Sequence, residues 1–79
     1  MVISEIIKID KEILGGQPVF NGTRVPIESL FDHLEAGASV DDFLADFPTV
    51  SKVQVIALLE TASKLMSSKN IEQLYEAVA

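Results

Sequence analysis

The side chains able to do acid–base or nucleophilic chemistry are few in this 79-residue sequence. Cysteine is absent and His33 is the single histidine, so a thiol nucleophile and a thiolate metal site are both excluded. His33 follows Asp32, but neighbours in sequence point to different faces of a helix and do not form a catalytic dyad. The glycines match neither a dinucleotide-binding nor a P-loop spacing. We therefore predict no catalytic residues, no cofactor and no enzymatic activity.

Carboxylates are the most numerous reactive groups, and their distribution is uneven. The net charge of −6 comes entirely from residues 26–50, because acidic and basic residues cancel on either side. Within this block Glu28, Asp32 and Glu35 form a helical stripe of like charges, at a cost of about 0.2–0.5 kcal/mol per pair. The stripe can be a solvated face, a surface for a cationic partner or a metal site. We predict partner binding at Asp32 and Glu35, and no metal site.

A second polar set lies on the third predicted helix, opposite its apolar stripe. Gln54 and Thr61 have the chemistry to contact base edges, Lys52 can contact a phosphate, and Lys64 lies on the same face. The face has few positive charges, so DNA binding by one copy would be weak. Arg24 precedes the helices and either pairs with an acid or contacts DNA or a partner. The candidate DNA-binding residues are Arg24, Lys52, Gln54, Thr61 and Lys64.

The third helix also carries apolar residues outside its main stripe of Val55, Leu58, Leu59, Ala62 and Met66. Val53 and Ile56 add apolar surface beyond the single face that a core requires. We predict that these two residues pack on another chain or on the final helix.

The elements that must position these side chains are predicted from periodicity and caps. A strand is expected over 3–9, a helical turn over 10–14, a hairpin over 18–25 and a helix over 26–36. Ser39 with Asp42 starts a second helix that Pro48 ends, and Thr49 or Ser51 starts a third that continues to Met66. Asn70 is predicted to cap a short final helix.

The chain is thus predicted to be one mainly α domain over 1–79. A small N-terminal strand and hairpin (1–25) precede a tri-helical helix-turn-helix core (26–66) and a C-terminal helix (70–79). A generic helical bundle fits the spacing equally well. No apolar run approaches the roughly 20 residues of a membrane span, and no signal peptide is evident. We expect a cytoplasmic protein without membrane contact.

Residues 13–26 contain several closely spaced glycine and proline residues that predict turns of the backbone. Asn21-Gly22 between apolar residues predicts a type I′ hairpin turn, because both central residues of that turn need positive φ. Gly15-Gly16 can end a helical turn, and Pro26 suits the first position of a helix. We interpret the segment as a scaffold whose structural residues are Gly15, Gly16, Pro18, Gly22, Thr23 and Pro26.

The run from Asp10 to Glu60 resembles the family catalogued as domain of unknown function 433. The resemblance rests on residues 13–26 and, behind them, on Leu34, Ala36-Gly37, Phe43, Phe47-Pro48 and Val55. It implies an antitoxin-like protein with a helix-turn-helix fold, encoded beside a PIN-like ribonuclease toxin as in VapB/VapC-type systems. By that analogy the N-terminal part binds operator DNA as a dimer and the C-terminal part contacts the toxin.

These observations lead to one hypothesis and one alternative. The hypothesis is a non-catalytic antitoxin-like regulator that forms a homodimer, through its N-terminal strand or hairpin edge, and binds a PIN-like ribonuclease toxin. Its acidic helices or its C-terminal helix would contact the toxin, and the third helix would contact operator DNA. The alternative is a dimeric protein-interaction module with no DNA-binding role, which the acidic charge and the nearly neutral third helix favour.

Overall fold

The fold, given by a computed structural model that describes residues 1–78, is mainly helical with a small antiparallel sheet. Its elements are α1 (Ile3–Ile6), β1 (Ile7–Lys8), a left-handed turn (Leu14–Gly16), β2 (Val19–Phe20), α2 (Ile27–Glu35), α3 (Val40–Asp46), α4 (Lys52–Met66) and α5 (Lys69–Val78). The predicted fold class, a small strand and hairpin followed by helices, is confirmed. No helix within residues 1–78 is long and apolar enough to cross a membrane.

The N-terminal segment is a helical turn followed by a very short strand, so the strand predicted over 3–9 is wrong in its first half. Only Ile7–Lys8 pairs with β2, antiparallel, with Ile7 opposite Phe20. The helical turn places Ile6 in the core, 1% exposed, and the carbonyl of Ile6 accepts the N–H of Asn21 at 2.9 Å. These tertiary contacts outweigh the β-propensity of the isoleucines.

The segment before β2 is a tight turn in which three consecutive residues have positive φ: Leu14, Gly15 and Gly16, at 48°, 67° and 92°. It follows a single turn in which the Asp10 carboxylate accepts the N–H of Glu12 at 2.9 Å and the Asp10 carbonyl accepts the N–H of Ile13 at 2.9 Å. Glycine adopts this left-handed region without the Cβ penalty. The helical turn predicted over 10–14 is therefore shorter than expected, because Ile13 is already extended, with φ −115° and ψ 111°, and the left-handed backbone begins at Leu14.

The chain reverses direction between Phe20 and Thr23, but the predicted type I′ turn is wrong. The N–H of Thr23 donates to the carbonyl of Phe20 at 3.0 Å, and only Gly22 has a positive φ, 81°. A single positive φ at the third turn residue is the requirement of a type II turn. The Thr23 hydroxyl strengthens the reversal by donating to the Phe20 carbonyl at 2.8 Å and accepting the N–H of Val25 at 3.0 Å.

The helical core follows the predicted caps closely. α2 begins at Ile27, so Pro26 is its extended N-cap instead of its first residue, and Gly37 follows the helix with φ 87°. Ser39 caps α3 in a complete capping box. Of the two predicted caps of α4, the structure uses Ser51, whose hydroxyl accepts the N–H of Gln54 at 3.1 Å.

A single apolar core joins the hairpin to α2, α3 and α4. Phe43 lies at its centre, with ring centroids 5.9 Å from Phe20 and 5.0 Å from Phe47. The stripe predicted on α4 is buried at Val55 and Leu58, but Met66 at its end is 61% exposed, since α4 extends beyond the core. The buried core residues are Ile6, Phe20, Leu30, Phe43, Val50, Val55 and Leu58.

The last described helix, α5, begins at Lys69 and not at a cap formed by Asn70. Ser68 acts as the cap instead, because its hydroxyl accepts the N–H of Asn70 at 3.3 Å and its carbonyl accepts the N–H of Ile71. No residue of α5 over 69–78 is buried. Ala79, the end of the predicted C-terminal helix, lies outside the described residues.

Candidate interaction surfaces

The predicted acidic stripe lies along the edge of a groove between α2 and the hairpin. The groove has an apolar floor that includes Ile27 and Phe31, and its rim carries Glu28, Asp32 and Glu35. We call this surface the acidic groove; its full lining is Ile7, Gln17, Pro18, Ile27, Glu28, Phe31, Asp32 and Glu35. The helical spacing of i, i+4, i+7 puts the three carboxylates on one side of α2.

The carboxylates of α2 and α3 differ in what they contact. Glu28 accepts a hydrogen bond from Gln17 at 3.3 Å. Asp41 pairs with Lys52 and Asp46 with His33, at 3.4 and 3.1 Å. Asp32 and Glu35 are exposed and form no ion pair with any of residues 1–78. The two residues predicted to bind a partner are thus left with uncompensated charge on the groove rim.

Asp42 serves a local structural purpose. Its carboxylate accepts the backbone N–H of Ser39 at 3.0 Å, and the Ser39 hydroxyl accepts the N–H of Asp42. The backbone N–H of Ser39, and after it the Ser39 hydroxyl, lower the pKa of the Asp42 carboxyl below its ordinary value of 3.8. Within residues 1–78, no three histidine or acidic side chains come close enough to hold a metal ion.

His33 bridges α2 and α3. Its Nδ1 lies 2.8 Å from the Ser29 carbonyl, and its Nε2 lies 3.1 Å from Asp46 Oδ2. The ring packs edge-on against Phe43 and Phe47, with centroids 5.3 and 5.4 Å away. The sequence places His33 at the rim of the core but does not identify Asp46 as its partner, because that contact spans thirteen residues and depends on helix packing.

Two of the candidate DNA-reading side chains are engaged within the chain. The Gln54 amide closes the α4 capping box by accepting the Ser51 N–H at 3.1 Å, and it donates to the Asn21 carbonyl at 2.9 Å. The Thr61 hydroxyl donates to the Ala57 carbonyl at 2.8 Å. In this arrangement the amide of Gln54 anchors α4 to the 20–23 turn.

The three candidate cations have different surroundings. Lys52 makes its exposed pair with Asp41, whereas Arg24 and Lys64 form no ion pair with any of residues 1–78. Arg24 therefore does not pair with an acid of α2 or α3. It lines an open cleft with Lys8 beside the 20–23 turn, apart from the α4 face on which Lys64 lies.

A second groove runs along the exposed side of α4. Val53 and Ile56 are 65% and 44% exposed there, and Met1 at the N-terminus is 59% exposed. We call this surface the α4 groove; it is lined by Met1, Lys52, Val53, Ile56, Ala57 and Glu60. Of the two predicted ways of covering Val53 and Ile56, packing of α5 on them is not seen in the described part of the chain.

The motif residues of the hairpin segment have backbone roles in the structure. Pro18 and Pro26 close the base of the hairpin, since the Pro18 carbonyl accepts the N–H of Ile27 at 3.0 Å and Val19 forms a β-bridge with Pro26. The positive φ angles of Gly15, Gly16 and Gly22 and the hydroxyl bonds of Thr23 complete the turns. The segment therefore connects β2 to α2 at a fixed angle.

Comparison with known proteins identifies the family. The model of the family described as "Protein of unknown function (DUF433)" matches residues 7–61, and the chain belongs to this family. The match covers the hairpin, α2, α3 and most of α4, and it leaves out α5.

A relative from Sinorhizobium fredii (strain NBRC 101917 / NGR234), described as "Uncharacterized protein y4eO", is 32% identical over 69 residues. The aligned region covers 85% of this chain and 31% of the relative, so the chain spans about a third of that protein's length. No solved structure matches the chain.

Proposed function

We propose that this protein is a non-catalytic, antitoxin-like regulator that dimerises and binds a basic protein partner, a PIN-like ribonuclease toxin. The observation that carries the proposal is the acidic groove, where exposed Asp32 and Glu35 lie beside an apolar floor without a countercharge among residues 1–78. A surface of this composition suits a segment that presents lysine or arginine next to apolar side chains.

The energetics of α2 support a partner for this surface. Like charges four residues apart destabilise a helix by about 0.2–0.5 kcal/mol, and Glu35 lies in the last turn, where the helix dipole disfavours a negative charge. A cationic partner would offset both costs, because its positive charge attracts the same carboxylates. The same charges would also accelerate association with a basic protein.

The exposed side of α5 offers further contact area. Leu74, Tyr75 and Val78 are 54%, 70% and 75% exposed, and no residue of the helix over 69–78 is buried. Large apolar side chains grouped on one helix are typical of a surface that another protein covers. This agrees with the analogy by which the C-terminal part of an antitoxin contacts its toxin.

The experiment is a binding titration between this protein and the purified product of its neighbouring gene. Replacing Asp32 and Glu35 by lysine should raise the dissociation constant about tenfold or more, because rim charges across an interface change from attractive to repulsive. The matched control replaces Glu5 and Glu12, two exposed acids outside the groove, and should leave affinity within about twofold after the same change in net charge. Equal losses of affinity in the two double variants would show that the acidic groove is not the binding site. If no complex forms at all, the proposal that the partner is a toxin encoded beside this protein would fail.

Operator DNA is the second partner of the proposed regulator, and here the observations favour the alternative of an interaction module with no DNA role. Gln54 and Thr61 already use their polar groups within the chain. The remaining candidates, Arg24, Lys52 and Lys64, provide only three positive charges in a chain of net charge −6.

Fluorescence anisotropy at low salt distinguishes the two roles. An operator-binding protein should prefer its own promoter over a random duplex, and its affinity should fall steeply as salt rises. An interaction module should show neither property.

A further inference from the structure

The α4 groove has a charge pattern that is complementary to itself. Lys52, Ile56 and Glu60 are spaced at i, i+4 and i+8, so they lie in one row along α4. Ile56 is at the middle of the row, with a positive charge one turn before it and a negative charge one turn after it. The two charges are about 12 Å apart along the helix axis at 1.5 Å per residue.

We propose that the α4 groove is the homodimer interface, in which α4 packs antiparallel against α4 of a second copy about a two-fold axis at Ile56. This inference rests on the dimerisation in the proposed function and assigns it a surface. A two-fold axis requires one patch to be complementary to its own copy. Antiparallel pairing about Ile56 meets that requirement, because Lys52 of each chain then lies opposite Glu60 of the other.

The apolar surface needed at the centre of such an interface is present and uncovered. Ile56 lies at the axis with Val53 one turn before it, and Met1, which lines the same groove, is 59% exposed. An interface typically has an apolar core with a polar rim, and here Lys52 and Glu60 would form that rim. DNA fits the same surface poorly, since the apolar centre and Glu60 would face phosphates.

The existing contact of Lys52 does not prevent this pairing. Lys52 and Asp41 are 3.4 Å apart with side chains 64% and 80% exposed, and an exposed pair of this kind contributes little to stability. The Lys52 side chain is therefore free to move toward Glu60 of the second copy. A dimer of this form would withdraw Lys52 from any contact with DNA.

Sedimentation equilibrium of charge-reversed variants tests the proposal. Lys52→Glu and Glu60→Lys should each raise the dimer dissociation constant about tenfold or more, because each places two like-charge pairs across the interface. The double variant exchanges the two charges and should restore dimerisation to within about threefold of wild type. Lys11→Glu and Glu12→Lys are matched controls on an exposed turn outside the groove and should have no effect.

The possible results separate the two levels of the proposal. A wild-type chain that remains monomeric at millimolar concentration would overturn both dimerisation and this interface. A dimer that tolerates both single reversals would overturn the interface alone. If both single variants dimerise weakly and the double variant does not regain wild-type dimerisation, the pairing of Lys52 with Glu60 would be overturned.

A crosslinking experiment tests the position of the axis independently. Since the chain contains no cysteine, an Ile56→Cys variant provides one thiol per chain, and two such thiols should meet at the two-fold axis. Mild oxidation should give a covalent dimer at concentrations where Ala45→Cys, an exposed position on α3, gives little. Equal crosslinking of the two variants would place the axis elsewhere and overturn the proposal.

Discussion

Replacing Gln54 by alanine should destabilise the fold itself, whatever happens to any DNA binding. The side chain makes three hydrogen bonds: Gln54 Oε1 accepts the Ser51 N–H at 3.1 Å and the Ser51 hydroxyl at 3.3 Å, and Gln54 Nε2 donates to the Asn21 carbonyl at 2.9 Å. Loss of the cap bond should cost about 0.5–1 kcal/mol. Loss of the bond to the Asn21 carbonyl should lower the free energy of unfolding by about 0.5–1 kcal/mol. This is near the lower end for hydrogen bonds, because Asn21 is exposed and water can replace the donor.

The expected total is about 1–2 kcal/mol in the free energy of unfolding. With a urea m-value near 1 kcal/mol/M for so small a chain, the midpoint measured by circular dichroism should fall by about 1–2 M. Gln54→Glu should lose about half as much, because its carboxylate still accepts the Ser51 N–H but cannot donate to Asn21.

Gln73→Ala is the matched control, since Gln73 is an exposed α5 residue with no side-chain hydrogen bond among residues 1–78. Its unfolding free energy should stay within about 0.5 kcal/mol of wild type. An unchanged urea midpoint for Gln54→Ala, or an equal shift in Gln73→Ala, would refute the structural role of Gln54. A base-reading role alone would instead lower operator affinity at constant stability.

Two further predictions concern stability. Phe43→Ala should lower the free energy of unfolding by about 3–5 kcal/mol, because the fully buried ring contacts Phe20, His33 and Phe47. Thermal unfolding should show that this variant is largely unfolded at 37 °C. The control Ala45→Gly, on the exposed side of α3, should remain folded. Asp42→Asn should be less stable than wild type near neutral pH, and the difference should vanish in acid. The folded-state pKa of Asp42 is lowered, so its stabilising contribution is present above the unfolded value of 3.8 and is lost as pH falls through the folded value. Urea midpoints for both chains between pH 7 and 2 would check this, and a constant difference would contradict it.

Local signals predict those features of the fold that depend only on neighbouring residues. Ser39 and Asp42 form the capping box that their spacing indicates, and Gly37 follows α2 with a positive φ of 87°. Both structures satisfy backbone groups within a few residues, so no distant contact can override them.

Features that depend on distant partners were not predictable in this way. The 20–23 turn differs from type I′ because Asn21 donates its N–H to Ile6 and its carbonyl accepts from Gln54. Neither partner is visible in the local Asn21-Gly22 pattern. For the same reason, Gln54 looks like a free polar side chain on α4 until the hairpin is placed beside it, although its spacing from Ser51 is that of a capping box.

The candidate site shows the same division between local and distant information. The sequence predicts the stripe of Asp32 and Glu35 on α2, because helical spacing alone defines it. It does not predict that β1 and the base of the hairpin supply an apolar wall beside the stripe, through Ile7 and Pro18. That wall changes a row of charges into a groove with both polar and apolar character.

The two grooves can act together because they share no lining residue. Dimerisation through α4 would therefore leave Asp32 and Glu35 accessible on each chain. A two-fold dimer would then present two equivalent acidic grooves, and each would bind one basic partner. The proposed interface and the proposed function together require complexes with equal numbers of the two proteins. Disruption of the α4 groove should lower the avidity for a multivalent partner, because the two acidic grooves would no longer be linked, without altering the affinity of a single groove.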